Sequence, residues 1–401
     1  MDANVRHLQV FQEVAAHGSV SAAARRVYLS QPAVTQAIGS VERYFGAPLF
    51  QRTSSGMTLT AAGQICSDRI VRALDQLRAG LTETSSSSRS AGEHLTRSLT
   101  TARLRALVMV VEHRSFSVAA RIAGISQPTM HRTARELETA LSICLLQRTA
   151  DGIQPTREAQ RLARRARLAF REIAQARAEL DALSGRESGA SVIGAMPLAR
   201  SYLLPKVLIT FTNERPEHAV SILEGSYENL VSGLQAGEID FLIGALREPP
   251  LHENITQEHL FDDPLAIIMR AGHPIANKRK PSLRALTRFP WVAPRAGSPL
   301  RSHFNDMFQK AGVPVPRYLI DCNSMMAARA LLLESDRLML LSTHQIHYEL
   351  QAGLLIAIPH PRGRVVRAIG LTVRTDWRPT RSQARLLELL RRYSESVPEK
   401  G

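Results

Sequence analysis

One stretch of this chain occurs twice, 96 positions apart and without a gap, and no other feature restricts the fold as strongly. Leu8 to Gly63 aligned on Leu104 to Ala159 gives 18 identities in 56 positions. Matched pairs include His17 with His113, Ser19 with Ser115, Ala23-Ala24-Arg25 with Ala119-Ala120-Arg121, Ser30-Gln31-Pro32 with Ser126-Gln127-Pro128, and Gln51-Arg52-Thr53 with Gln147-Arg148-Thr149. Self-similarity of this kind marks a duplicated structural unit. Whatever one copy folds into, the other must fold into on the same plan.

Each copy reads as three helices and a hairpin. Leu8, Phe11 and Val14, with Leu104, Leu107 and Val110 in the second copy, keep helical spacing. A short helix rich in small residues follows, Ser21 to Val27. Tyr28 and Leu29 make a turn, Ser30 caps the next helix, and Pro32 sits in its first turn, where a missing N–H costs little. That third helix runs to about Phe45 with Val34, Ile38 and Val41 facing inward. Two short strands, Leu49 to Arg52 and Met57 to Leu59, flank a Ser-Ser-Gly turn and predict a β-wing. Short helix, tight turn and capped helix form a helix-turn-helix.

In that motif the start of the second helix enters the DNA major groove. Candidate contacts are therefore Ser30, Gln31, Pro32, Ala33, Thr35 and Gln36 in copy one, and Gln127, Thr129, His131 and Arg132 in copy two. Gln pairs with adenine edges and Arg with guanine edges. Arg52 and Arg148 on the wings suit phosphate or minor-groove contact. The plainer alternative is that Ser-Gln-Pro is only a helix cap and Arg52 a solvated charge. The charge balance is compatible with DNA but weak evidence by itself, since a high-GC genome also favours arginine: the net charge is +15, and residues 1–184 hold 24 arginines, no lysine and 15 acidic residues.

The run A-A-x-R-x-x-x-S-Q-P-A-x-T-x-A-I-x-x-x-E, then L-F-x-R and L-T-x-A-G, over Ala23 to Gly63, resembles the winged helix-turn-helix of LysR-type transcriptional regulators. Those usually carry one such domain, and this chain resembles a variant with two. Copy two departs from the pattern: Leu146 replaces the Phe of L-F-x-R, and Pro155-Thr156-Arg157-Glu158-Ala159 replaces L-T-x-A-G. It could serve partly as a spacer or dimerisation module.

The expected organisation is a winged helix-turn-helix at 1–63, a linker helix and Ser-rich tether at 64–100, a second, degenerate copy at 101–156, a linker helix at 157–184 and an effector domain at 190–396. Cys66, Ile70, Leu74, Leu77 and Leu81 mark the first linker helix, and Thr82 to Gly92 reads as a flexible tether. Ala159, Leu162, Ala166, Ala169, Ile173, Ala176, Leu180 and Leu183 alternate steps of three and four, a heptad seam. It could pack on its own domain. Its charged outer faces favour a seam between two chains, and the resemblance, through helices that dimerise in the family, points the same way, to a homodimer or homotetramer. Ser184 to Gly189 reads as a hinge.

From Ser191 strands alternate with helices, predicting an α/β architecture with mainly parallel sheets in two lobes. The fold class is thus mixed: helix-rich winged repeats plus a two-lobed domain. Ligands in such sheets bind at the carboxyl ends of strands, beside helix N-termini. The junctions at Met196-Pro197-Leu198, Ala296 to Pro299 and Asn323-Ser324, with Ala245 and Leu246 ending another strand, are the candidate effector contacts; Ser298, Asn323 and Ser324 supply polar groups. Each could instead be only a cap. Residues 191–396 resemble the family's effector-binding domain, which is like type 2 periplasmic binding proteins. G-A-M-P-L-A-R, G-x-I-D-F-L-I-G-A-L-R and R-A-G-S-P-L-R are nearest the branch of galactose-binding-protein and protocatechuate regulators, implying an anionic or sugar-like effector, a sugar or an aromatic acid.

No G-x-S-x-G, H-E-x-x-H, G-x-G-x-x-G or Walker loop occurs, so no cofactor, metal or catalytic constellation is expected. His344 and His347 read as surface residues and Asp262-Asp263 as a turn. Three separated cysteines give no disulfide framework. Met1 to Val14 does not read as a secretion signal, and no apolar run of membrane-spanning length occurs, so a cytoplasmic chain is expected. The expected function is sequence-specific regulation of transcription under a small effector, with double-stranded DNA as partner. An enzyme on the two-lobed domain is the alternative, and a transport solute-binding protein the third reading.

Overall fold

Four serines start helices in the repeat. The side-chain oxygens of Ser19, Ser30, Ser115 and Ser126 each accept the N–H three residues on, so two N-caps recur at equivalent places in both copies. In the computed structural model, which describes residues 3–54, 56–84, 99–150, 152–186, 188–250, 252–278 and 280–395, the chain divides into two units at 189/190. Most of the expected tether lies outside the described residues; its first residues, to Thr84, are helical.

Copy one comprises α1 (Val5–His17), α2 (Val20–Val27), α3 (Gln31–Phe45) and a hairpin of β1 (Phe50–Thr53) with β2 (Gly56–Leu59), followed by α4 (Ala61–Thr84). Copy two repeats this as α5 (Thr101–His113), α6 (Phe116–Ala123), α7 (Gln127–Leu141), β3 (Leu146–Thr149), β4 (Gly152–Pro155) and α8 (Arg157–Leu183). A shared carboxylate ties each wing to its third helix. Glu42 accepts the N–H groups of Leu49 and Phe50, and Glu138 those of Leu145 and Leu146, all at 2.8–3.3 Å. Two charge-assisted bonds offset the cost of a carboxylate that is half-buried in Glu42 and buried in Glu138.

The heptad seam meets a helix of its own chain. Ala159, Leu162, Ala166, Ala169, Ile173, Ala176 and Leu180 of α8 are buried together with Cys66, Ile70, Leu74, Leu77 and Leu81 of α4, in one core that includes both copies. The expectation of a seam between two chains is corrected in this respect: α4 carries a matching apolar stripe and lies within reach. Gly80 allows the close approach, since a Cβ there would stand 2.9 Å from the Cβ of Arg165. Arg69 is 5% exposed and donates to Glu172 (2.9 Å), Gln175 (2.9 Å) and Glu179 (2.6 Å). Arg165 donates to Gln76 (2.8 Å) and Glu83 (3.0 Å). Arg69 meets the C-terminal part of α8 while Arg165 meets the C-terminal part of α4, so the two helices run antiparallel. Burial pushes the Cys66 thiol up to about 12, aided by the charge of Glu179.

The second unit holds β5 (Gly189–Ala195), α9 (Pro197–Ser201), α10 (Leu203–Glu214), β6 (His218–Leu223), α11 (Tyr227–Gln235), β7 (Phe241–Ala245), β8 (Ile255–Arg270), α12 (Leu283–Leu286), β9 (Trp291–Pro294), α13 (Pro299–Gln309), β10 (Leu319–Cys322), α14 (Met325–Leu333), β11 (Leu338–Ser342), a 3₁₀ turn (Thr343–Ile346), α15 (His347–Gln351), β12 (Leu355–Pro359), β13 (Val366–Arg374) and α16 (Arg381–Glu395). The strand order is β10-β9-β11-β8-β13-β7-β5-β6, with β12 also on β8. The first part of β8 pairs with β13 in one lobe and its last six residues pair with β11 and β12 in the other. One lobe packs around Phe211, Phe241 and Leu386, the other around Trp291, Phe304 and Phe308.

Several local expectations change. The sheet is mixed rather than mainly parallel: β5–β7, β9–β10 and β9–β11 are parallel, whereas β8 and β13 run antiparallel to their neighbours. A strand that leaves one lobe for the other and a strand that returns must run in opposite senses. The helical segment after β5 is broken at Tyr202, whose φ and ψ of −138° and −62° are not helical. Asp262 and Asp263 lie inside β8, not in a turn, and His344 is buried, not at the surface. Asp263 is fully buried and accepts from Arg367 (2.6 Å) and from Ser342, with His344 Nδ1 at 2.9 Å. A buried charge with three partners survives where a lone one would not.

Candidate nucleic-acid interface and ligand cavity

The third helix of each copy divides cleanly. Val34, Ala37, Ile38 and Val41 are buried, while Gln31, Pro32, Thr35 and Gln36 are exposed and Ala33 is half-buried. The cap Ser30 stands exposed at the helix start. In α7 the buried side is Met130, Ala134 and Leu137, and Gln127, His131 and Arg132 are exposed with Thr129 half-buried. Each copy therefore presents its helix N-terminus and a polar face to solvent, as a major-groove reader requires.

The two faces are unlike. Thr35 spends its hydroxyl proton on the Gln31 carbonyl (3.1 Å), whereas Thr129 shares a hydrogen bond with Ser126 (2.8 Å). The His131 ring packs edge-on to Phe116, 4.9 Å between centroids. Arg132 is 73% exposed and only 3.9 Å from Glu136, a loose contact that a base edge can outcompete. Arg52 and Arg148 project from the outer wing strands, both exposed, with no acidic partner among the described residues. Exposed cations of that kind are suited to phosphates.

In the second unit a cavity of about 190 Å³ lies between the lobes. Six of the eight expected contacts line it: Met196, Pro197, Ala245, Ser298, Asn323 and Ser324. Leu246 does not. Its N–H pairs with the Ala368 carbonyl (2.9 Å) and its side chain lies against Gly370, while the next residue, Arg247, lines the cavity. Leu198 lies on α9, and its side chain lies outside the described residues. Ser298 and Ser324 each cap a helix, accepting from Arg301 N–H (3.2 Å) and Ala327 N–H (3.3 Å), so both helix starts point at the cavity wall.

The sequence reading missed the cations. Arg247, Arg295 and Arg367 all line the cavity, amid an otherwise largely apolar wall of Met196, Leu300, Met325, Met339 and Leu341. Arg247 lies over the Tyr227 ring at 4.7 Å, and Arg295 is exposed. Arg367 is held by Asp263, yet its Nε is buried without a hydrogen-bond partner. Alternation from Ala245 could have found Arg247. Arg367 could not be found, because its role depends on β13 lying beside β8. Among the described residues no group of three or more His, Cys, Asp or Glu could hold a metal ion, and no helix is long and apolar enough to cross a membrane.

Comparison with known proteins is consistent at every level. Residues 5–64 and 101–160 both match the bacterial regulatory helix-turn-helix protein of the lysR family, and 184–395 match the LysR substrate binding domain. The chain is 32% identical over 372 residues to the HTH-type transcriptional regulator GalR of Pseudomonas putida, covering 93% of this chain and 92% of that one. It is 28% identical over 288 residues to the regulator PcaQ of Agrobacterium fabrum, covering 72% of this chain and 93% of the relative. In fold it is similar to full-length OxyR of Pseudomonas aeruginosa, with a TM-score of 0.56 at 21% identity, covering 74% of this chain and 95% of that structure.

Proposed function

Because this chain belongs to the LysR family through both its helix-turn-helix segments and its substrate-binding domain, we propose residues for its two binding tasks and a chemical class for its effector. The protein is a transcriptional regulator with an effector-binding domain, not an enzyme. Its family binds DNA and acts as oligomers with small effectors. The DNA contacts we assign are Ser30, Gln31, Pro32, Ala33, Thr35 and Gln36 with Arg52, and Gln127, Thr129, His131 and Arg132 with Arg148. Acting on chromosomal DNA places the protein in the cytoplasm.

The effector we assign is an aromatic carboxylic acid rather than a sugar. The observation that carries this is a cavity lined by three arginines, Arg247, Arg295 and Arg367, with an otherwise largely apolar wall. An exposed guanidinium such as that of Arg295 binds a carboxylate through charge-assisted hydrogen bonds, and the further cations Arg247 and Arg367 add to its attraction. The apolar wall offers a sugar few partners for its many hydroxyls, whereas a ring buries well against Met and Leu. A ligand preferring one lobe arrangement would shift that equilibrium and so the DNA-bound state. Calorimetric titration of the full chain with benzoate-type acids and with aldoses tests this. Aromatic acids should bind and lose at least roughly ten-fold affinity in Arg295→Met; binding of aldoses alone refutes the assignment.

A further inference from the structure

The contacts between the two linker helices obey a rule that only a two-fold axis imposes. Arg69 of α4 bonds Glu172 and Glu179 of α8. Moving each residue by the 96-position offset of the repeat exchanges the helices: Arg69 becomes Arg165, Glu172 stands where Gln76 stands, and Glu179 where Glu83 stands. Arg165 does bond Gln76 and Glu83. An equivalent pair also meets itself: the Val5 N–H donates to Thr101 Oγ1 at 3.1 Å, and these two positions correspond under the same offset. Residue i touching j while j's equivalent touches i's equivalent is the mark of an isologous interface. Here one chain supplies both sides of it, and the apolar stripes of α4 and α8 are buried against each other.

We infer that a single chain is a complete two-reader unit, and that it reads an operator of two unlike half-sites in a fixed order. Identical readers about a two-fold axis read palindromes. This chain keeps the axis but not the identity of the readers. Copy one offers Gln31, Ala33, Thr35 and Gln36; copy two offers Gln127, Thr129, His131 and Arg132. The half-site under α3 is read by amides, which favour adenine, and the half-site under α7 by an exposed arginine, which favours guanine. The two half-sites are inverted in arrangement and different in sequence, so the bound chain has a direction on the duplex. Its second reader is already tethered, and no association between chains is needed to fill the operator. Any self-association uses a surface other than the α4–α8 seam.

This inference rests on the DNA-binding reading above, and one experiment separates the two. The full-length chain is used to select duplexes from a randomised library, and the selected site is then titrated and its complex weighed by native mass spectrometry. The expected result is a composite site with two different halves in one order and one chain per pair of half-sites. Gln36→Ala should change base preference only in one half, and Arg132→Ala only in the other, lowering affinity there roughly ten- to a hundred-fold. Both residues are exposed, so both variants keep the fold. A palindromic site, a change in both halves from Arg132→Ala, or two chains on one pair of half-sites overturns the inference and leaves the DNA-binding reading standing. Selection of no duplex at all overturns both.

Discussion

Replacing Arg69 by Ala should destabilise the first unit far more than replacing its repeat equivalent Arg165, though both make the same kind of contact. Arg69 is 5% exposed, and its partners Glu172 and Glu179 are 9% and 20% exposed. Burial alone lowers a guanidinium's pKa, but here the bonds to Glu179 and Glu172 outweigh it and hold the proton more firmly than usual. Removing the cation leaves Glu179 without this partner and Glu172 with only Arg72, at 3.0 Å. Breaking a buried pair on one side costs about 3–5 kcal/mol. Arg165 is 25% exposed, Glu83 is 30% exposed, and its other partner Gln76 is neutral, so Arg165→Ala should cost about 1 kcal/mol. Urea unfolding of the full chain can read each unit separately. Both tryptophans, Trp291 and Trp377, lie in the second unit, so indole fluorescence follows that unit alone, while far-ultraviolet dichroism also follows the helical first unit. With a slope of about 1–3 kcal/mol per molar urea, Arg69→Ala should lower the dichroism midpoint of the first unit by roughly 1–5 M and leave the fluorescence midpoint in place. Equal shifts for Arg69→Ala and Arg165→Ala would refute the reasoning, since they would mean that burial of the pair has no energetic consequence.

Three other perturbations have defined outcomes. Arg52→Ala should weaken binding to every duplex alike and reduce the salt slope of log K by about 1, as measured by titration between low and moderate salt; a changed base preference instead would count against a phosphate role. His360 is buried, and burial, then Arg362 and His303, lower its pKa to about 4, against about 6.5 in the unfolded chain. Between those values the unfolded state binds the extra proton, so stability of the second unit should fall as pH drops from about 6.5 toward 4. His360→Asn should flatten that fall in fluorescence-monitored unfolding, and an unchanged slope would exclude His360 as its source. Native alkylation at pH 8 should label exposed Cys144 and spare buried Cys66, whose thiol is held at about 12; rapid labelling of Cys66 would show that the α4–α8 seam opens.

Amino-acid order alone determined the repeat, its helices and its caps, because these depend on neighbours three or four residues away. Ser30 and Ser126 cap where expected, Val34, Ile38 and Val41 point inward, and Gln31, Gln36 and Arg132 remain outside. Six of the eight proposed cavity contacts were legible too, since strand ends and helix starts are local signals. What tertiary structure decided is which distant surface covers each face. The stripe on α8 announces an apolar helix face without naming the helix that covers it, and proximity within the chain selects α4. Asp263 beside Asp262 reads as a turn until β13 delivers Arg367 to it across the sheet. Periodicity carries the direction a side chain points, but the identity of its neighbour is fixed only when segments far apart in the chain close together.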